Sequence, residues 1–202
     1  MSYLLRVQLP DVPGSLGRLA TAIGSAGGNI DAIEIVARGE GFAVDDVFLA
    51  ADTMVMPDSI VSACQTLEGV KVLWIARYAA GTNLFLDLEA VESMTQEPAA
   101  AADTLVDLVP QVFRADWGMR LHRLDGDYKV VHRTSASPAE APSVPWPDTD
   151  VVEASDGDVL LLAAPLGPDE AVVIARRGGP EFLDSELARL RHLVQLAGSI
   201  AR

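Results

Sequence analysis

The order of strand and helix patterns in the first 80 residues is the feature that most limits how this chain can fold. Alternating apolar residues at 3–9 predict a strand that is buried on one side. A helical apolar stripe follows, made of Leu16, Leu19, Ala20 and Ile23. A hairpin, a second helix that Pro57 opens and a last strand complete the series, with strands at 30–38, 42–50 and 70–78. The order β-α-β-β-α-β predicts a four-stranded antiparallel sheet with both helices on one face.

The turn that leads into the first helix has the chemistry of a small-molecule site. Asp11, Pro13 and Gly14 precede the helix, and Ser15 is predicted to be its N-cap. A helix N-terminus carries unpaired N–H groups and a partial positive charge, so the amides of Gly14, Ser15 and Leu16 can bind a carboxylate. Asp11 can accept hydrogen bonds from an ammonium group. Together they match the two charged ends of an amino acid, although an ordinary structural turn is the alternative.

The pattern D-x-P-G-x-L-x-x-L at 11–19, followed by G-G-N-I at 27–30, resembles that of the ACT domain over residues 1–80. The resemblance implies a ferredoxin-like α+β fold that binds an amino acid or a similar small metabolite. It also implies ligand contacts from Asp11 and Asn29, with Ile30 beside them, often across a dimer interface. We therefore expect a homodimer whose ligand-binding residues are Asp11, Gly14, Ser15, Leu16, Asn29 and Ile30.

The second half of the chain has a different pattern. It reads as a helix at about 99–115 with Pro110 inside it, two pairs of strands around a long polar loop at 135–157, and a closing helix at about 182–200. This order resembles that of a degenerate GAF domain, an antiparallel sheet flanked by helices. The Asn-Lys-Phe-Asp-Glu signature and a bilin-attaching cysteine are missing, so its ligand stays open. We predict an ACT domain at 1–80, a linker with a short helix at 81–98 and a GAF-like domain at 99–202.

Composition excludes several classes of partner. The formal net charge is −14, with 15 basic and 29 acidic residues, which disfavours binding to nucleic acid and to anionic membranes. The single cysteine excludes an internal disulfide and favours a reducing cytoplasm. The chain has no apolar run of about 18 residues, so no membrane span is expected.

Candidate catalytic and metal-binding residues are few. His122, His132 and His192 lack a metal-ligand spacing, and Asp45-Asp46 is interpreted as solvated or sheet-edge charge. Arg176 and Arg177 could bind an anion, although a solvated strand end is the favoured interpretation. No phosphate loop, dinucleotide fingerprint or nucleophile elbow is present. We therefore predict no enzyme activity, no cofactor and no metal.

These observations favour a non-catalytic regulatory protein that senses an amino acid through the first domain. Its signal would pass through dimer contacts or through a partner enzyme or regulator. Two alternatives stay open: a small enzyme with an unfamiliar active site, and an interaction subunit that has lost its ligand.

Overall fold

The chain folds into two compact units, residues 1–82 and 83–202, in a computed structural model that describes residues 1–77 and 86–202. Each unit contains one antiparallel sheet flanked by helices. The predicted α+β fold class is therefore confirmed. Tyr78 and Asn83, to which the sequence assigns a strand end and a helix cap, lie outside the described residues.

The first unit has the predicted element order. Its elements are β1 (Ser2–Pro10), α1 (Ser15–Ser25), β2 (Gly28–Gly39), β3 (Phe42–Ala51), α2 (Pro57–Gln65) and β4 (Lys71–Arg77). The strands lie in the order β2-β3-β1-β4, and every pairing is antiparallel. The turn between β2 and β3 depends on Gly41, whose φ of +77° suits glycine best. This is the ferredoxin-like topology that the sequence predicts.

One face of this sheet and the two helices form an apolar core. The strand residues of the core include Tyr3, Leu5, Val7, Leu9, Val47 and Leu49, and the helices contribute Leu19, Ile23, Ile60 and Cys64. The prediction that Leu16 belongs to this stripe is wrong, because its side chain is 39% exposed. After α1, Gly27 adopts the left-handed conformation that is common just past a helix end, with a φ of +86°.

The opposite face of the sheet is also buried, although the alternation of β1 predicts a polar face there. Arg6 is 3% exposed and lies directly opposite Asp46, which is 2% exposed. Its Nε and Nη2 atoms donate to the two carboxylate oxygens of Asp46 at 2.7 and 2.9 Å. Leu4 and Phe48 are buried on the same face. The interpretation of Asp45-Asp46 as solvated charge is therefore wrong for both residues, because Asp45 is only 3% exposed.

The second unit has a five-stranded sheet and three helices. Its elements are α3 (Leu86–Gln96), a 3-10 turn (Pro98–Ala100), α4 (Ala101–Val112), β5 (Trp117–Leu124), β6 (Asp127–Arg133), β7 (Val152–Asp156), β8 (Val159–Pro165), β9 (Glu170–Arg177) and α5 (Asp184–Ile200). The strand order is β6-β5-β9-β8-β7, with antiparallel pairing throughout. Strand β7 was not predicted, because it lies within the stretch interpreted as a loop. Helix α4 continues through Pro110.

Both faces of the second sheet are covered. The helices pack on one face around Leu105, Leu162, Ile174 and Leu190. On the other face, Val144 and Trp146 from the loop after β6 pack against Trp117, Met119 and Leu161. The long polar loop thus covers apolar surface, which accounts for its length.

Arg176 joins the end of β9 to α4 and α5. Its guanidinium donates to Oε1 of Glu186 at 2.7 Å and to the carbonyl of Phe113 at 2.7 Å, and it lies 4.1 Å from the centre of the Phe182 ring. Arg176 is 4% and Glu186 is 7% exposed. The favoured interpretation of a solvated strand end is therefore wrong for Arg176, whose guanidinium makes internal contacts, whereas Arg177 is exposed.

The substitution Glu186→Gln tests this connection. It leaves the buried Arg176 charge without its carboxylate, so we expect a loss of about 3–5 kcal/mol in the free energy of unfolding. Urea denaturation followed by tryptophan fluorescence measures the effect. The control is Asp184→Asn, an exposed carboxylate in the first turn of the same helix. Equal stabilities of the two variants would contradict the role given to Glu186.

Candidate functional site

The turn at 11–14 is built by backbone hydrogen bonds around Gly14. The amide of Asp11 donates to the carbonyl of Gly41 at 3.1 Å, and the amide of Val12 donates to that of Pro10 at 2.9 Å. Gly14 has a φ of +89°, a conformation that glycine adopts readily. It lies immediately before α1 in the N-cap position. The prediction that Ser15 is the N-cap is therefore wrong by one residue.

The amides of the first turn are only partly available to a ligand. The amide of Ser15 donates to the carbonyl of Val12 at 3.2 Å, so it is already used within the turn. The Ser15 hydroxyl accepts from Nη2 of Arg18 at 3.1 Å, and the residue is buried. In the described part of the chain, the amides of Gly14 and Leu16 make no backbone hydrogen bond outside helices and strands. Of the three amides predicted to donate to a ligand carboxylate, those of Gly14 and Leu16 are therefore available.

Asp11 lies at the rim of this turn with a basic partner. Its Oδ2 atom is 3.6 Å from Nη1 of Arg38, and the two side chains are 46% and 62% exposed. A pair of such exposure is worth little to stability. A shallow groove of about 440 Å³ begins at the same turn and follows α1, lined by Gly14, Gly17, Arg18, Thr21, Ala22 and Leu67.

Asn29 and Ile30 lie at the other end of the sheet. Both are near the start of β2, where Asn29 is opposite Ala50. Asp11 is beside Gly41, just before the opposite end of β3. At about 3.3 Å per residue, the backbones of Asp11 and Asn29 are roughly 30 Å apart. One copy of the chain therefore does not bring its own Asp11 and Asn29 together.

Asp45 carries a buried carboxyl group and was not among the site residues predicted from the sequence. It is opposite Val7 on β1, so it points to the face of the sheet that carries the helices. Its Oδ1 atom has no hydrogen-bond partner within the described residues. Burial is the main cause that raises the pKa of Asp45; the nearby Arg38 lowers it, and the carboxylates of Asp11 and Asp46 raise it further. An acidic residue within an apolar alternating strand was the available sequence signal.

The other candidate residues are dispersed. Nε2 of His132 is 2.9 Å from Asp107, Nδ1 of His122 is 3.8 Å from Glu170, and His192 is exposed on α5. Cys64 is a free buried thiol, and burial raises its pKa. Within residues 1–77 and 86–202, no three His, Cys, Asp or Glu side chains are placed to hold a metal ion. No helix in the same ranges is long and apolar enough to cross a membrane.

The substitution Asp45→Asn tests the cost of this carboxyl. Because its pKa is higher in the folded chain than the ordinary 3.8, the folded state is penalised as pH rises from that value through the folded pKa. At neutral pH we expect Asp45→Asn to raise the stability of the first unit by about 1–3 kcal/mol. The gain should vanish as pH falls toward the ordinary carboxyl value.

Hydrogen exchange of peptides from residues 1–77 measures the stability of this unit across pH. Asp58→Asn, which alters an exposed carboxylate on α2, is the control. A pH-independent difference between wild type and Asp45→Asn would contradict the assigned cause.

Comparison with known proteins agrees with the geometry of the first unit. Residues 3–59 match the family model of the ACT domain. A stretch of 73 residues is 35% identical to NAD-dependent malic enzyme 1 of Bacillus subtilis (strain 168); it covers 36% of this chain and only 17% of that enzyme.

Similar solved structures include two GAF domains. That of the phosphoenolpyruvate-protein phosphotransferase from Acinetobacter has a TM-score of 0.46 and 10% identity, and the match covers 61% of this chain and 94% of that chain. That of a putative sensor histidine kinase from Pseudomonas syringae pv. tomato has a TM-score of 0.44 and 16% identity, covering 58% and 85%. Residues 3–59 form an ACT domain, as the motif predicts, and GAF domains are among the structures to which the chain is similar.

Proposed function

We propose that this protein is a non-catalytic regulator that senses an amino acid or a similar small metabolite through its ACT domain. ACT domains are typically regulatory and commonly bind small metabolites, which supports this role. The malic enzyme match covers only 17% of that enzyme, so the activity of the whole enzyme forms no part of this proposal. In this proposal the chain has the ACT domain at 1–80, the linker at 81–98 and the GAF-like domain at 99–202.

The observation that carries the proposal is the turn before α1. Gly14 and Leu16 offer open amides at the positive end of an 11-residue helix, and Asp11 lies at the same turn. A ligand carboxylate at these amides and an ammonium group near Asp11 would use both features at once. Neutral molecules and simple anions would use only part of this arrangement, so the site favours a zwitterion.

The wide separation of Asp11 and Asn29 within one chain supports a homodimer. We propose that Asn29 and Ile30 of a second copy complete the site beside Asp11. A two-fold axis would reverse the direction of the second copy and bring its Asn29 end toward the Asp11 end of the first. Strand β2 is an edge of the first sheet, and it exposes 49% of Ile35. An apolar residue on a long edge strand favours pairing with another chain.

The output of the sensor would pass through these dimer contacts or through a partner enzyme or regulator. Ligand bound between two copies favours their association, and association in turn raises ligand affinity by the same free energy. The acidic surface of the protein, with net charge −14, argues against nucleic acid as the partner.

Substitutions at the two ends of the site test ligand binding. We expect Asp11→Ala to weaken the binding of an amino acid more than that of the same acid without its amine. Asn29→Ala should weaken binding by about 1–3 kcal/mol, because a buried polar group of the ligand loses its partner. Isothermal titration calorimetry measures both, after a thermal-shift screen of the twenty common amino acids. Unchanged affinity in both variants would remove the site from this turn.

A substitution on the edge strand tests the dimer. We expect Ile35→Lys to give the monomer mass in light scattering and to weaken amino-acid binding, since it places a charge within the proposed interface. Val131→Lys is the matched control, because Val131 is 44% exposed on β6, an edge strand of the second sheet. A wild-type mass of one chain, or equal masses for both variants, would contradict the proposed interface.

A further inference from the structure

We propose that Asp45 supplies the buried negative charge that holds the ammonium group of the ligand. This inference rests on the proposed amino-acid site and adds an acidic residue that lies outside the sequence motif. Asp45 is on an inner strand, and Asp11 is on the turn at one end of the sheet. The two carboxylates are close enough for Asp11 to act on the charge of Asp45.

The pairing of the strands places Asp45 on the face of the sheet that the helices cover. Asp45 is opposite Val7, and the next positions on the same face are Ala43 and Leu9. The chain then continues from β1 through the Asp11 turn into α1. The Asp45 side chain therefore lies on the helix-covered face, toward the end at which α1 offers its open amides.

The burial of the Asp45 carboxyl costs free energy. The residue is 3% exposed, and Oδ1 accepts no hydrogen bond from any described residue. A buried carboxylate without a donor loses its hydration and gains no compensating bond. Apolar neighbours such as Val7 and Val47 offer no donor from their side chains. An ammonium group, with three donors and a positive charge, is the ligand group that removes this cost most directly.

Arg38 does not already fill this role. Its guanidinium is 62% exposed and lies 3.6 Å from Asp11, so its charge is shared between Asp11 and water. Within the described residues, Asp45 has no ion pair shorter than 4.0 Å. Arg38 is opposite Ala43, next to Asp45 on the same face, and rotation of its side chain into solvent is the access route that the proposal requires.

The charged groups on the elements next to Asp45 already have partners. On α1, Arg18 donates to the hydroxyl of Ser15. On the opposite face of the sheet, Asp46 is paired with Arg6. Asp11 and Arg38 form the exposed pair at the rim. An arriving ammonium would therefore find two carboxylates, Asp45 inside and Asp11 outside, against one displaceable guanidinium.

This arrangement makes ligand selection depend on the amine. An acid that lacks it leaves Oδ1 of Asp45 as unsatisfied as before, whereas an amino acid satisfies it.

The amine also couples ligand binding to proton release. Burial and the two neighbouring acids raise the pKa of Asp45 despite Arg38, and a bound ammonium favours the ionised form. At any pH where Asp45 is protonated in the free protein, binding releases a proton, so affinity rises with pH through the pKa of the free protein.

The test compares one amino acid with its des-amino acid in the full chain. The probe is the amino acid that raises the Tm most in a screen of the twenty common ones, paired with the carboxylic acid of the same carbon skeleton. Calorimetry is done on wild type, Asp45→Asn and the control Asp58→Asn. We expect Asp45→Asn to weaken the binding of the amino acid by about 10- to 100-fold and that of the des-amino acid by less than about 2-fold. Asp58→Asn should match wild type for both ligands.

Proton release provides a second readout of the same role. In a pH series that begins near the ordinary carboxyl pKa of 3.8, wild-type binding enthalpies should differ between buffers of unequal ionisation enthalpy wherever free Asp45 is protonated, and this difference should disappear in Asp45→Asn. Amino-acid binding without proton release at every pH of the series, or with equal affinity in Asp45→Asn, overturns the role of Asp45 while the proposed function stands. If no amino acid binds the wild type, both the function and the role of Asp45 are overturned.

Discussion

The register of β1 against β3 is the constraint on which the first unit depends. Arg6 and Asp46 are directly opposite each other and form a two-point ion pair in a buried setting. Sliding one strand by a single residue would turn Arg6 into the apolar core on the helix side and separate it from its carboxylate. The same register places Asp45 beside Val7 and brings Asp11 to Gly41. The candidate site therefore takes its geometry from a contact on the other face of the sheet.

The second unit depends on a comparable use of arginine. Arg176 contacts the ends of α4, β9 and α5 at once, and Arg189 on α5 makes a two-point ion pair with Asp87 on α3 at 2.6 and 2.7 Å. Arg189 also lies 4.7 Å from the centre of the Phe113 ring. Planar guanidinium groups suit such junctions because they donate to carboxylates and carbonyls in fixed directions and stack on rings. The helices of this unit are thus fixed by polar contacts at their ends as well as by apolar packing.

Periodicity allowed most of the fold to be predicted, because element type depends on local spacing. It failed where the outcome depends on distant packing. The alternation in β1 separates Arg6 from Leu5, but it does not show that residues on both faces of the sheet are buried. Strand β7 was missed because its sequence, VEASD, is polar and owes its conformation to pairing with β8. The Asp11 turn was predictable from a local motif, whereas the burial of Asp45 follows from strand pairing, and its local signal was no more than an acidic residue within an apolar strand.

Asp45 and Asn29 each limit how the proposed site can work in a single chain. Arg38 offsets only part of the cost of burying Asp45, whose Oδ1 atom has no hydrogen-bond partner among the described residues, so we expect the folded domain to be less stable with it than with a residue that needs no partner. The roughly 30 Å between Asp11 and Asn29 means that one chain leaves part of the proposed site empty. A ligand bound between two copies would remove both deficiencies at once, since it would neutralise Asp45 and contact Asn29 of the second copy. Ligand affinity, domain stability and association would then be coupled through one group of contacts, which is the property that a metabolite sensor requires.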